Sequence, residues 1–192
     1  MKARENPFRS DALAKLRYRL PEDALERLAD RVQHGTCFSE ITGPEGTGKT
    51  TLMEDLRARL QSRGCPTVWL RLTRDSSPGE RRTAVRNLKR MDPKIIALFD
   101  GGEVLGRLNW IRLRHFLRRQ SIRGVATLHR TRGLPLLHQT TQNLEVAESL
   151  VEELVGPEAF RPLRPTVREA FTAHHGNLRE VFRACYWVCA KQ

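Results

Sequence analysis

The sequence predicts an α/β fold, a three-layer arrangement of a parallel sheet covered by helices with a small C-terminal helical lid. Three observations predict it. Short apolar segments alternate with segments of helical periodicity from Thr36 to Val155, the pattern of strands joined by crossover helices. Ile95-Ile96-Ala97-Leu98-Phe99 is apolar on both faces and ends in Asp100, as a strand buried beneath two helical layers does. A glycine-rich stretch, Gly43 to Gly48, joins a strand to a helix.

The elements follow in order. Met1 to Pro21 is an approach segment, with Asn6-Pro7-Phe8 placing an aromatic near the domain entrance. Glu22 to Gln33 reads as a helix: Pro21 precedes it, Leu25, Leu28, Ala29 and Val32 repeat at helical spacing, and Gly35 stops it. Thr36 to Thr42 is the first strand, and Thr50 to Ser62 is a helix carrying Leu52, Met53, Leu56 and Leu60 on one side. Gly64 and Pro66 break that pattern before a second strand, Thr67 to Leu72. Arg74 to Glu80, with Pro78 and Gly79, reads as a polar turn, and Arg81 to Met91 as a basic helix stopped by Asp92-Pro93. Ile95 to Asp100 is the third strand, Leu105 to Ser121 a long helix, Gly124 to Leu128 a fourth strand, and Leu134 to His138 a short fifth. Leu144 to Val155 is helical. Gly156 to Pro165 reads as a proline-containing linker, followed by helices over Thr166 to His174 and Asn177 to Ala190, broken by Gly176. The expected division is 1–35, an N-terminal segment and helix; 36–155, a nucleotide-binding core; and 156–192, a helical lid.

Composition narrows the class. The chain of 192 residues is 39% hydrophobic, enough for one domain with a full core. No apolar run approaches the roughly 20 residues needed to span a bilayer, and Met1 to Ser10 has no apolar signal segment, so a cytoplasmic location is expected. Cys37, Cys65, Cys185 and Cys189 form no C-x-x-C pair. Cys185 and Cys189 lie one helical turn apart, and zinc would need His174 and His175 as further ligands; buried core thiols in a reducing compartment are the simpler expectation. The net charge of +12 favours polyanionic partners, although a charged surface without such a target is also consistent with it.

Gly43-Pro44-Glu45-Gly46-Thr47-Gly48-Lys49-Thr50 matches G-x-x-x-x-G-K-[ST] at every fixed position. Glycines let backbone N–H groups turn inward around phosphate oxygens without a Cβ in the way. Lys49 supplies a mobile positive charge, and the Thr50 hydroxyl suits Mg²⁺, which takes oxygen ligands. The helix that follows, beginning with Thr50 and Thr51, points its positive end at the same phosphates. The alternative is a glycine turn without a ligand. Asp100 ends the third strand, where a Walker B acid would hold Mg²⁺ through water beside Thr50. The loop, Asp100 and Thr127 all fall at strand carboxyl ends, where ligands bind in parallel α/β sheets.

With Gly43 to Thr51, Ile95 to Glu103, Gly124 to His129 and Gly176-Asn177-Leu178-Arg179 in view, the chain resembles AAA+ and related P-loop ATPases, including compact initiator- and transposition-helper-like members. The resemblance implies an inserted sheet strand, as in the ATPase branch rather than the small-molecule kinase branch, ATP and Mg²⁺ as cofactors, and ATP hydrolysis. It also implies Thr127 as a polar sensor, Arg179 as a γ-phosphate sensor in the lid helix, and copies assembling side by side with Arg130 or Arg132 as an arginine finger; a solvated loop is the simpler expectation for that pair. One departure stands out. The family places a glutamate directly after the acid, whereas Gly101 and Gly102 follow Asp100 and the first glutamate is Glu103. Glu103 either activates water from this shifted position, or the protein is a slow or non-hydrolysing nucleotide switch.

Trp110 to Arg119 mixes apolar and basic residues. On a helix, Leu113, Phe116 and Leu117 would face the sheet, leaving Arg112, Arg118 and Arg119 for solvent or a phosphate backbone. Three functions are therefore in play: an ATP-binding protein with weak or partner-stimulated hydrolysis, an ATP-controlled nucleic-acid-binding switch, and a small-molecule phosphotransferase, for which Asp75 is the one candidate acid or base.

Overall fold

A computed structural model describes residues 3–21 and 23–191 of the chain. Glu22, the expected first residue of a helix, and Met1 and Lys2 of the approach segment lie outside the described residues. The elements run α1 (Ser10–Leu13), α2 (Ala24–Gln33), β1 (Phe38–Thr42), α3 (Lys49–Ser62), β2 (Thr67–Arg71), α4 (Pro78–Lys89), β3 (Ile96–Asp100), α5 (Arg107–Arg119), β4 (Gly124–Leu128), β5 (Leu136–Gln139), α6 (Leu144–Val155), α7 (Pro157–Ala173) and α8 (Leu178–Ala190). Two 3₁₀ turns, Ala3–Glu5 and Gly102–Val104, complete the set among the described residues.

Contacts divide the chain into two compact units. One comprises Leu20–Gly43 and Lys49–Thr140 and carries the sheet. Its five strands are ordered β2-β3-β4-β1-β5, all paired in parallel. Strand β4 thus stands between the loop strand β1 and the acid strand β3. Strands β3 and β4 are buried along their whole length, which is why both are apolar apart from Asp100 and Thr127 near their carboxyl ends. Trp110, Leu113 and Leu117 of α5 join Ala84 and Leu88 of α4 in one core with Phe38, Ala97, Phe99 and Ala126 of the strands. Arg112, Arg118 and Arg119 are exposed, as the helical spacing predicts, while Phe116 is half-buried. Helices α2 and α3 pack on each other and contact β2, β3 and β5; Leu28, Val32, Leu52, Met53, Leu56 and Leu60 are their buried residues.

Helix α4 begins earlier than the sequence suggests. Pro78 and Gly79 read as a turn, yet Ser77 forms a capping box with Glu80: the Glu80 N–H donates to Ser77 Oγ at 3.2 Å and the Ser77 N–H to Glu80 Oε2 at 2.6 Å. Pro78 then occupies the first helical position, where its missing N–H costs nothing, and such a cap contributes about 1 kcal/mol.

The second unit comprises the described residues up to Arg19, Pro44–Gly48, and the described residues from Thr141 onward. Helices α6, α7 and α8 share a core with Phe8 and Leu16, built on Ala147, Val151, Val167, Val181 and Cys185. Here the sequence misleads. Gly156 to Pro165 is not a linker: Gly156, at φ 80°, separates two helices, and α7 starts directly at Pro157 and runs through Pro162 and Pro165. Each internal proline removes a helical hydrogen bond and costs about 3 kcal/mol. Burial of Phe160, Leu163, Val167 and Ala170 along one face offsets this, since each large apolar side chain contributes about 1.5–3 kcal/mol. Cys185 and Cys189 are buried and free in this core, and burial together with the neighbouring Cys189 thiol pushes the Cys185 thiol up to about 12. Among the described residues no helix is long and apolar enough to cross a membrane.

Candidate functional site

The glycine-rich loop leaves β1 at Gly43, whose N–H donates to Leu128 O at 3.2 Å. Gly46 (φ 75°) and Gly48 (φ 85°) take left-handed backbone, accessible to glycine at no steric cost. At Gly46 the requirement is doubled: a Cβ would lie 1.8 Å from Asn177 Oδ1. The segment Pro44–Gly48 is closed by short bonds. Thr47 Oγ1 donates to Pro44 O at 2.8 Å and Gln142 Nε2 to Thr47 O at 3.2 Å. Glu45 accepts from Arg179 Nη1 at 3.0 Å, and Asn177, the N-cap of α8, accepts from the Arg179 N–H at 3.1 Å. The Gly176-Asn177-Leu178-Arg179 stretch therefore meets the glycine-rich loop through two side chains. Tyr18 also borders the loop, its ring 2.9 Å from where a Cβ on Gly48 would be.

Helix α3 opens with Lys49, only 8% exposed, whose Nζ donates to Gly43 O at 2.7 Å. Thr50 Oγ1 reaches both oxygens of Asp100, at 3.2 and 3.1 Å; Thr51 is half-buried in the same turn. Asp100 ends β3 and is 5% exposed. It accepts from Thr127 Oγ1 at 2.7 Å, and Arg71 Nε lies 3.5 Å from its other oxygen. Thr127 Oγ1 in turn accepts from the Gly101 N–H at 2.9 Å. Lys49, Thr50, Asp100 and Thr127 thus gather at the carboxyl ends of β1, β3 and β4. The oxygen pair of Thr50 and Asp100 has the hard-donor chemistry that Mg²⁺ takes.

Gly101 explains the shifted glutamate. Its φ is 84°, and a Cβ there would stand 2.0 Å from Leu72 O, a backbone atom. No side chain fits directly after Asp100. Glu103 sits instead in the 3₁₀ turn Gly102–Val104, and its Oε1 lies 3.1 Å from His129 Nε2. Its Oε2 is buried without a hydrogen-bond partner. The pairing with His129 ties Glu103 to the end of β4 rather than to Asp100.

Two functional features escape sequence reasoning. His129 carries no spacing signal that links it to Glu103. Glu40 does carry a signal, a charge inside an otherwise buried strand. It is fully buried and accepts N–H bonds from Arg132 (3.2 Å) and Leu134 (3.3 Å). Burial pushes its carboxyl above the ordinary range, against the opposing pull of those N–H groups and of Thr131. The loop after β4 is also held from outside: Trp110 Nε1 and Arg114 Nη1 donate to Arg132 O at 3.1 and 3.0 Å, and Arg118 Nη2 to Gly133 O at 3.1 Å. Arg132 donates through Nη1 to Leu105 O at 3.0 Å, whereas Arg130 is exposed. Asp75 is exposed on the turn after β2.

No protein-family model and no curated protein matches the sequence. Solved structures do. The replication initiator DnaA bound to AMPPCP and single-stranded DNA is similar at 13% identity and a TM-score of 0.53, over 86% of this chain and 59% of that one. A DNA replication initiation factor is similar at 14% identity and 0.55, over 88% and 60%. Domain III of the Thermotoga maritima DnaA is similar at 14% and 0.54, over 86% and 82%. The chain spans about three-fifths of the first two. The fold is that of the AAA+ P-loop NTPases.

Proposed function

We propose that this chain binds ATP and hydrolyses it weakly or on stimulation by a partner. The observation that carries this is the meeting of Thr50, Asp100 and Thr127 within hydrogen-bonding distance directly after the glycine-rich loop. In this proposal the loop residues Gly43, Pro44, Glu45, Gly46, Thr47 and Gly48, with Thr50 and Thr51 behind them, receive the phosphates, and Lys49 exchanges Gly43 O for a phosphate oxygen. Thr50 and Asp100 would hold Mg²⁺, which supplies charge neutralisation at the phosphates when bound. Thr127 fixes the Asp100 carboxylate, and Arg179 leaves Glu45 to read the γ-phosphate. Glu103 is the candidate for orienting water once released from His129. Its displacement by the side-chain-free Gly101 supports slow turnover. The division into an N-terminal segment (1–35), a core (36–155) and a lid (156–192) belongs to the same proposal, as does side-by-side assembly of copies in the cytoplasm.

Lys49→Ala tests the proposal. Equilibrium titration with a fluorescent ATP analogue and Mg²⁺ is expected to show at least a tenfold loss of affinity, because a buried charge-assisted contact contributes roughly 1.5–3 kcal/mol. Unchanged affinity overturns it.

A second reading, a nucleotide switch that binds nucleic acid without needing hydrolysis, is favoured by the net charge of +12 and by the Glu103–His129 pairing, which keeps Glu103 engaged away from Asp100. A phosphotransferase ranks third, with Asp75 standing alone on its exposed turn.

A further inference from the structure

A cleft of about 930 Å³ opens beside the 3₁₀ turn that carries Glu103, lined by Arg74, Arg81, Arg107, Arg130 and Arg132. Five arginines line it against one acidic residue, Glu103, which already faces His129. They come from four separate places in the chain: the turn after β2, α4, the start of α5 and the loop after β4. Surface arginines are ordinarily dispersed and solvated, and gathering five in one concavity raises the local potential for anions.

The wall of this cleft is built rather than loose. Glu40, fully buried, holds the Arg132 and Leu134 N–H groups from beneath, and Trp110, Arg114 and Arg118 hold the Arg132 and Gly133 carbonyls from the side. Desolvating a carboxylate to fix the loop between β4 and β5 is costly, and the result is a preorganised backbone from which Arg130 projects. Arg81 is fixed as well, donating to Ser76 O at 2.9 Å and Arg74 O at 3.2 Å. Preorganisation lowers the ordering cost of binding. Arg107 and Arg130 are exposed and make no hydrogen bond or ion pair to the described residues, so their charges are available to a ligand. Among the lining residues the His129 imidazole, which faces Glu103, is the one ring on which a base could stack; the arginines make phosphates the main point of recognition.

We propose that this cleft binds the phosphodiester backbone of a single nucleic-acid strand, independently of sequence. The proposal rests on the second reading above and adds its site, distinct both from the glycine-rich loop and from the exposed α5 arginines that the sequence singles out. A strand seated there lies against Glu103, three residues after Asp100.

The test uses the full chain and a fluorescent twenty-nucleotide oligothymidylate, read by anisotropy from about 50 to 200 mM salt, the range over which phosphate contacts reveal themselves. Arg107→Ala/Arg130→Ala is compared with Arg112→Ala/Arg119→Ala, which removes the same charge from the outer face of α5. The cleft variant is expected to lose at least tenfold in affinity and the α5 variant less than threefold. The slope of log affinity against log salt is expected to fall by about 1.4 in the cleft variant, since each single-strand phosphate contact contributes about 0.7. Equal losses in the two variants overturn the cleft while leaving nucleic-acid binding intact. No binding by the wild type overturns the nucleic-acid reading itself. Displacement of the oligonucleotide by inorganic tripolyphosphate at equal phosphate concentration overturns the strand in favour of a small-anion site. Retained oligonucleotide binding in the cleft variant, with loss of any protein-concentration-dependent ATP hydrolysis, overturns it in favour of a second copy of this chain.

Discussion

Thr127 donates its hydroxyl proton to Asp100 across 2.7 Å while accepting the Gly101 N–H at 2.9 Å. One buried oxygen thereby ties the end of β4 to the acid at the end of β3 and to the turn that follows. Thr127→Val keeps the shape and removes both bonds, leaving the buried Gly101 N–H unpaired and Asp100 Oδ1 with only the longer 3.2 Å contact to Thr50. The expected loss of stability is about 1–3 kcal/mol, read by chemical denaturation. Under the proposed function, ATP turnover falls further than ATP affinity, because the carboxylate loses its orientation and the loop does not.

Gly101→Glu restores the acid-glutamate pair usual in the resembling ATPases, and simple motif logic expects it to activate. The backbone says otherwise. At φ 84° the variant is expected to lose about 1–3 kcal/mol from left-handed strain, and more from the clash of the new Cβ with Leu72 O, only 2.0 Å away. Thermal melting of the purified variant checks this; a stable, faster ATPase would contradict the geometry.

Arg179 and Glu45 form an ion pair with side-chain exposures of 69% and 37%. Exposed pairs contribute at most about 1 kcal/mol, so Arg179→Ala should melt within a few degrees of the wild type. If Arg179 reads the γ-phosphate, the variant should nevertheless lose discrimination between ATP and ADP in equilibrium binding. Retained discrimination assigns Arg179 to the surface.

Glu148 on α6 accepts from Arg164 on α7 at 3.0 Å and from Arg168 at 2.6 Å. The Arg164 hydrogen bond, with help from Arg168, holds its carboxyl below the ordinary 4.5 although burial opposes them. A carboxyl depressed in the folded state contributes stability above its unfolded value and loses it as pH falls through the folded one. Wild-type stability should therefore decline as pH drops below about 4.5, and Glu148→Gln should flatten that decline. Melting temperatures from pH 6 to pH 3 provide the measurement.

The sheet was legible because its chemistry is local. Residues 96–99 and 124–126 lie under helices on both sides, so each of these positions is apolar or small, and the polar Asp100 and Thr127 stand out at or near the strand ends. The glycine loop was legible because left-handed backbone at Gly46 and Gly48 demands glycine at those spacings. Two things were hidden for opposite reasons. Helix α7 was obscured by Pro162 and Pro165, whose local penalty outweighs periodicity in a short window until tertiary burial is counted. Ser77–Glu80 was a readable capping box eclipsed by the Pro78-Gly79 turn signal. The Glu103–His129 pairing and the support of the β4 loop by Glu40 join residues 26 or more positions apart, through strand order that no local pattern encodes.

Helix α7 carries a consequence beyond its own packing. With Pro162 and Pro165 inside it, the segment 157–173 has no prospect of folding as a free peptide, and its order is borrowed from α6 and α8. Any change that uncovers Phe160, Leu163 or Val167 should melt the segment as a whole rather than fray it from one end, giving these C-terminal helices an all-or-nothing character.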